Sequence, residues 1–167
     1  MFANPENLKN VIECQEALRE LLREGKRFTF TYISGGTYPY APEFNARRIP
    51  WNLDTYSENL QKFDVALAPQ VIKEKGPGKM IEAIGHNVAV VGSAIPATEE
   101  WAKETHNEEF ICSTTEEWIV ALEKMWDAEV RNAQLERTLP WIWSNRSIDV
   151  IGQKWLDFFK EIMVKRT

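Results

Sequence analysis

A chain of 167 residues with 44% hydrophobic and 11% aromatic content has material for one well-filled core, and a single domain over 1–167 is expected. A net charge of −5 and a pI near 5.2 argue against a surface that neutralises a phosphate backbone by bulk charge, so no nucleic-acid partner is expected. The opening MFANPENLKN lacks the basic start and apolar middle of a signal peptide, and no run approaches the ~18 apolar residues of a membrane span. Cys14 and Cys112 sit in apolar contexts without metal-ligand spacing. They read as reduced core thiols of a cytoplasmic protein, with one distant disulfide as the alternative.

Leu8, Val11, Ile12, Leu18, Leu21 and Leu22 fall near helical spacing after a cap at Asn4 and a first-turn Pro5, and predict a helix ending near Gly25. The aromatic and β-branched run Phe28 to Ile33 predicts a strand that stops at Gly35 and Gly36. A loop from Thr37 to Arg48 leads to a short strand over Arg48 to Trp51 and a helix over Asp54 to Lys62. Asp64 to Ala68, closed by Pro69, shows little alternation and predicts a buried strand. A helix over Pro77 to His86, a strand over Val88 to Val91, a helix over Ala97 to Thr105 and a strand over Phe110 to Cys112 follow. This alternation predicts an α/β chain with a Rossmann-like parallel sheet and helices on both faces. Residues 114–167 read as a mostly helical tail, opened by a Thr114/Glu117 capping box and interrupted near Pro140.

The stretch 74–93, EKGPGKMIEAIGHNVAVVGS, carries the chemistry. Ligands of open parallel sheets bind beyond the carboxyl ends of the strands, where loops lead into helix N-termini. A helix starting at Pro77, with Gly78 permitting close approach, offers N–H donors and the positive dipole end to a phosphate, and Lys73, Lys75 and Lys79 add positive charge. Glu82 lies one turn beyond Lys79, and its carboxylate suits a sugar or ribose diol; Glu74 on the loop can serve a second set of hydroxyls. The plain alternative is a solvated Glu82 on a surface helix and a Glu74 paired with nearby lysines. His86 reads as a helix C-terminal cap and His106 as an exposed residue. Trp118, Trp126 and Trp155 read as core or interface residues, and Trp141 with Trp143 as an exposed apolar patch.

Glu74, seven residues and Glu82, with Gly76-Pro77-Gly78 between them and Lys79 three before Glu82, resemble the donor-binding segment of retaining GT-B glycosyltransferases. Their pattern continues here through Asn87 at the place of a turn glycine, Val90-Val91 and Ser93, and through Phe63 to Pro69, Asn107 to Ile111, Glu116 to Ile119 and Gln153 to Met163. Asn87 is expected to take the left-handed conformation that a helix stop requires. The resemblance covers nearly the whole chain and implies the nucleotide-sugar-binding half of a GT-B fold. In it Glu82 holds the ribose, Glu74 the donor-sugar hydroxyls and Gly76, Pro77, Gly78 and Lys79 the diphosphate of a nucleotide sugar, with no metal or other cofactor required. By fold analogy Trp51 and Asn52 border the base, and Arg47 and Arg48 assist the diphosphate.

The family's acceptor-binding domain has no counterpart in these residues, and neither does the strand with its Arg and Lys loop that opens its donor domain. The isolated chain is therefore not expected to catalyse glycosyl transfer, and a sheet edge is expected to be open to another copy or another protein. Three readings stay open: a working donor site, one half of a split enzyme whose acceptor half is another polypeptide, and a non-catalytic module in a larger assembly.

Overall fold

A computed structural model of the chain describes residues 5–36 and 46–164; the expected cap at Asn4 and most of the expected loop from Thr37 lie outside them. Residues Pro5–Val11 form a 3-10 helix that runs into α1, Ile12–Arg23. Gly25 then takes a φ of +83°, and Lys26 N–H to Leu21 O at 2.9 Å with Gly25 N–H to Leu22 O at 3.0 Å closes the helix end, as its glycine predicts. The rest follows in the order β1 (Thr31–Ser34), β2 (Arg47–Pro50), α2 (Leu53–Leu60), β3 (Val65–Ala68), α3 (Gly78–Gly85), β4 (Ala89–Ser93), α4 (Pro96–Thr105), β5 (Ile111–Cys112), α5 (Thr115–Lys124), α6 (Ala128–Arg146) and α7 (Ile148–Val164).

All described strand pairs are parallel, and they form two sheets, β1-β2 and β3-β4-β5. Alternate residues of each sheet face opposite ways. Phe30, Tyr32, Ala89, Val91 and Cys112 join the core under α1 and α5. Ile33, Ala66, Ala68, Val88 and Val90 join the core under α3, α4 and α6. The chain is thus a parallel α/β structure with helices on both faces and a helical tail.

Several expected bounds shift for physical reasons. Phe28 and Thr29 precede the β1 ladder, which begins where Thr31 meets Arg47. Phe110 closes a 3-10 turn over Glu108–Phe110, leaving two residues for β5. The tail does not break at Pro140, which sits inside α6. It breaks between α5 and α6, where the Asp127 side chain accepts from Glu129 N–H at 2.8 Å, and at Ser147, whose carbonyl accepts from Ile151 N–H at 3.0 Å. A proline lacks one donor, and the 19-residue α6 runs on through it with buried residues before it, at Gln134, Leu135 and Thr138, and after it, at Ile142. The Thr114/Glu117 capping box forms as expected, with Glu117 N–H to Thr114 Oγ1 and Thr114 N–H to Glu117 Oε2 both at 3.2 Å. Trp118 is buried, whereas Trp126 and Trp155 are exposed, and Trp155, Leu156, Phe158, Phe159 and Met163 leave α7 with apolar surface in solvent. Trp143 is exposed, but Trp141 is half-buried beneath the Arg146 guanidinium, 5.7 Å from its ring.

Gln134 of α6 is fully buried and grips β4: its Oε1 accepts from Val90 N–H at 2.7 Å and its Nε2 donates to Val90 O at 3.0 Å. The carboxamide acts as a missing strand rung where the short β5 does not reach. Thr138 donates to Gln134 O at 2.7 Å and accepts from Asn107 Nδ2 at 2.8 Å, and Arg137 Nε donates to Asn107 Oδ1 at 3.0 Å, which ties α6 to the end of α4.

Both cysteines are free and buried. Burial pushes each thiol from an ordinary 9.0 up to about 12. Because the unfolded chain releases these protons first, the thiols' contribution to stability is complete below about pH 9 and falls as pH rises towards 12.

Two outcomes are expected. Gln134→Leu, close in size, strands the Val90 donor and acceptor and should lower the unfolding free energy by about 2 kcal/mol or more in urea titration, while a loss under about 0.5 kcal/mol would contradict the clamp. Stability should fall as pH rises from about 9 towards 12, and Cys14→Ala should make that fall shallower; an unchanged slope would contradict the buried-thiol account.

Candidate functional site

The loop after β3 is tied to its neighbour strand at its first free residue. Pro69 ends the strand, and Gln70 N–H donates to Ser93 Oγ, at the carboxyl end of β4, at 2.8 Å. The Gln70 side chain is only 6% exposed. Its Nε2 donates to Gly76 O at 3.4 Å, closing the loop on itself, while its Oε1 is buried with no hydrogen-bond partner. A buried acceptor left in that state costs about 1–3 kcal/mol, which a donor arriving from a ligand would recover.

Helix α3 starts at Gly78 rather than Pro77, with Pro77 as its flanking residue (φ −75°, ψ 15°) and no side-chain cap. The Pro77 carbonyl takes the N–H groups of Met80 and Ile81 at 2.9 and 3.0 Å. A Cβ built on Gly76 or Gly78 would meet nothing within 4 Å, and neither residue has the left-handed φ that calls for glycine. Gly92 differs, since a Cβ there would come 2.8 Å from Met80 Sδ and 3.3 Å from Ala68 O. That glycine lets α3 pack closely over the strands, and so fixes where the helix begins.

The helix ends as its sequence predicts. Asn87 has a φ of +62°, and Val88 N–H to Ala83 O at 3.0 Å with Asn87 N–H to Ile84 O at 2.8 Å completes the stop. His86 Nδ1 lies 2.8 Å from Glu82 O and so carries the proton in that contact, a capping role for the imidazole. His106, with a φ of +55°, is exposed beyond α4.

Of the expected site residues, Glu74, Gly76 and Gly78 lie exposed on the loop and first turn, and Pro77 and Lys79 are half-buried. Glu82 is exposed on the second turn. Lys79 is brought beside Glu82 and Lys75: burial, then the Lys75 charge, hold its ammonium below the usual lysine range, against the opposing pull of Glu82. An anion placed there would add a favourable charge that offsets them. Glu82 also lies near Tyr56 of α2, whose pKa is raised first by burial and then by that carboxylate. The Tyr56 ring packs edge-on against His86 with centroids 6.2 Å apart. Tyr56 and Gln70 were both missed in the sequence reading. The spacing of Tyr56 and the buried Leu60 on one face of α2 is the signal that points to the former.

Trp51 is 55% exposed at the carboxyl end of β2. Asn52 caps α2, its Oδ1 accepting from Asp54 N–H at 2.8 Å. Arg48 binds the end of β1 instead of reaching the loop, with Nε to Ser34 O at 3.3 Å and one guanidinium nitrogen to Gly35 O at 2.9 Å. Arg47 is exposed. Among the described residues no cluster of His, Cys, Asp or Glu is placed to hold a metal ion, and no helix is long and apolar enough to cross a membrane.

Tyr56→Ala is expected to cost about 2 kcal/mol or more in urea unfolding by removing the ring that packs against His86 and the core under α3. Unchanged stability would show that this contact does not hold α2 to α3. No family model, curated protein or solved structure matches the chain.

Proposed function

We propose that the loop after β3 and the first two turns of α3 bind the nucleotide-diphosphate part of a nucleotide sugar, making this chain a glycosyltransferase-like donor module of the cytoplasm. The observation that carries the reading is the pair Gly76 and Gly78. Neither backbone conformation nor packing within the chain calls for glycine at either position, and both border open space at a helix N-terminus. Space kept clear beside backbone N–H groups suits the close approach of a diphosphate. The desolvated Lys79 supplies charge, and the buried Gln70 Oε1 supplies an acceptor for a hydroxyl or amide. In this reading Glu82 takes the ribose diol, Glu74 the sugar hydroxyls, and Trp51 an edge of the base. Hydrogen bonding to the diphosphate would stabilise it as a leaving group, with no metal needed. The acceptor half of a retaining transfer would come from another polypeptide.

A second reading has its own support. Glu82 lies beside Tyr56 and Asn52 caps α2, so each has a structural setting without a ligand. On that reading the chain is a non-catalytic, glycosyltransferase-like module with a structural role in an assembly.

Calorimetric titration with uridine, guanosine and adenosine diphosphates and their hexose conjugates separates the two. The donor reading expects saturable binding to at least one, weakened about tenfold or more by Gly78→Ala, a change that should leave stability within about 0.5 kcal/mol. Glu82→Gln removes the carboxylate charge at nearly constant size and should also weaken binding. Absence of binding at millimolar ligand by the folded chain would favour the structural reading.

A further inference from the structure

Strands β1 and β3 belong to separate sheets, and a cavity of about 570 Å³ opens beside their amino ends. One wall is helical, formed by Leu18 and Leu21 of α1 with Leu122 and Met125 at the end of α5. The other is made by Phe28 to Thr31 leading into β1, and by Phe63 to Val65 with Leu67 at β3. Such a volume falls in the roughly 300–1,000 Å³ range of small-molecule sites. The cavity also leaves part of the core uncovered. Phe28, Val65 and Leu67 pack against the α1/α5 core yet are only half-buried, as is Phe63. Apolar side chains in that position gain from an apolar occupant that takes the place of water.

The polar part of the lining is basic. Arg27, Lys62 and Arg131 stand there against Asp64. Arg131 Nη1 donates to Met125 O at 2.6 Å and to Trp126 O at 3.1 Å, which fixes the guanidinium and leaves its Nε and Nη2 for another acceptor. Arg27 has no ion-pair partner among the described residues, whereas Lys62 pairs with Glu58 at 3.1 Å. With Asp64 and Glu58 set against the three cations, one positive charge is left over. We propose that this cavity binds a linear acyl chain ending in a single carboxylate. The chain lies between the helical wall and the half-buried side chains of β3, and the carboxylate meets Arg27 and Arg131. Guanidinium groups suit a planar carboxylate, which accepts two parallel N–H bonds from one fork. One surplus charge matches this monoanion better than a dianionic phosphate. A chain of roughly ten carbons is of the size such cavities take. The site lies at the opposite strand ends from the loop after β3 and is independent of the nucleotide-sugar reading.

Methionine-methyl NMR of the full chain tests this, because Met125 lines the cavity while Met163 sits on the exposed apolar face of α7, where an amphiphile would bind without selectivity. Decanoate below its micelle concentration should shift the Met125 methyl saturably and leave Met163 still. From hexanoate to decanoate the affinity should rise about two- to fourfold per methylene, as burial of each CH₂ requires. Decyltrimethylammonium should bind at least about tenfold more weakly. Arg27→Gln changes an exposed residue and should leave folding intact; it should weaken decanoate about threefold or more and leave decanol unchanged. The proposal is overturned if Met125 does not respond at millimolar decanoate, if Met163 shifts in its place, if affinity ignores chain length, or if the cationic amphiphile binds as well. An Arg27→Gln chain that binds decanoate unchanged, or loses decanol equally, would overturn the place given to the carboxylate.

Discussion

The arrangement turns on one carboxamide. Strand β4 is central to its sheet, but β5 is two residues long and pairs with it only at Gly92 and Ser93. Lower down, at Val90, the second edge of β4 would face the core bare, and an unpaired backbone donor and acceptor there would each be costly. Gln134 fills that place from α6, 44 residues away in sequence. The same contact fixes α6, and through Thr138 and Asn107 it fixes the end of α4. With β4 held, Gly92 seats Met80 of α3 and Ser93 seats Gln70, so the candidate site inherits its position from a polar clamp on the β5-side edge of β4.

Chemistry divides between the two ends of the strands. At the carboxyl end the loop after β3 is polar, glycine-opened and carries Lys79, Glu82 and the unsatisfied Gln70 oxygen. At the amino end the break between β1 and β3 is walled by apolar side chains with a basic mouth. A small charged ligand suits the first.

Local signals were legible in the sequence because they act within a few residues. The Thr114/Glu117 box, the stop at Gly25 and the left-handed Asn87 each depend on hydrogen bonds no longer than one helical turn, and all three stand as read. The parallel α/β order followed from apolar runs without alternation. What escaped depends on distant partners. Gln134 sits in a polar stretch that gives no hint of Val90, Tyr56 looks like one more aromatic residue until α2 lies against Glu82, and Pro140 reads as a breaker because the contacts that hold α6 are not in its own sequence. The tryptophans divide for a related reason: helical spacing shows that Trp155 shares a face with apolar neighbours, but not that α7 leaves that face in solvent while Trp118 is buried.

The central claim is that the turn at 76–79 exists for a ligand, and nitrogen-15 NMR of the chain titrated with a nucleoside diphosphate and its hexose conjugate tests it at the atoms concerned. The account predicts that the amides of Gly76, Gly78 and Lys79 and the side-chain amide of Gln70 move together and saturate, while the Val90 amide under Gln134 stays still. Shifts confined to other surfaces, or none at millimolar ligand, would contradict it and leave the loop as a connection between β3 and α3.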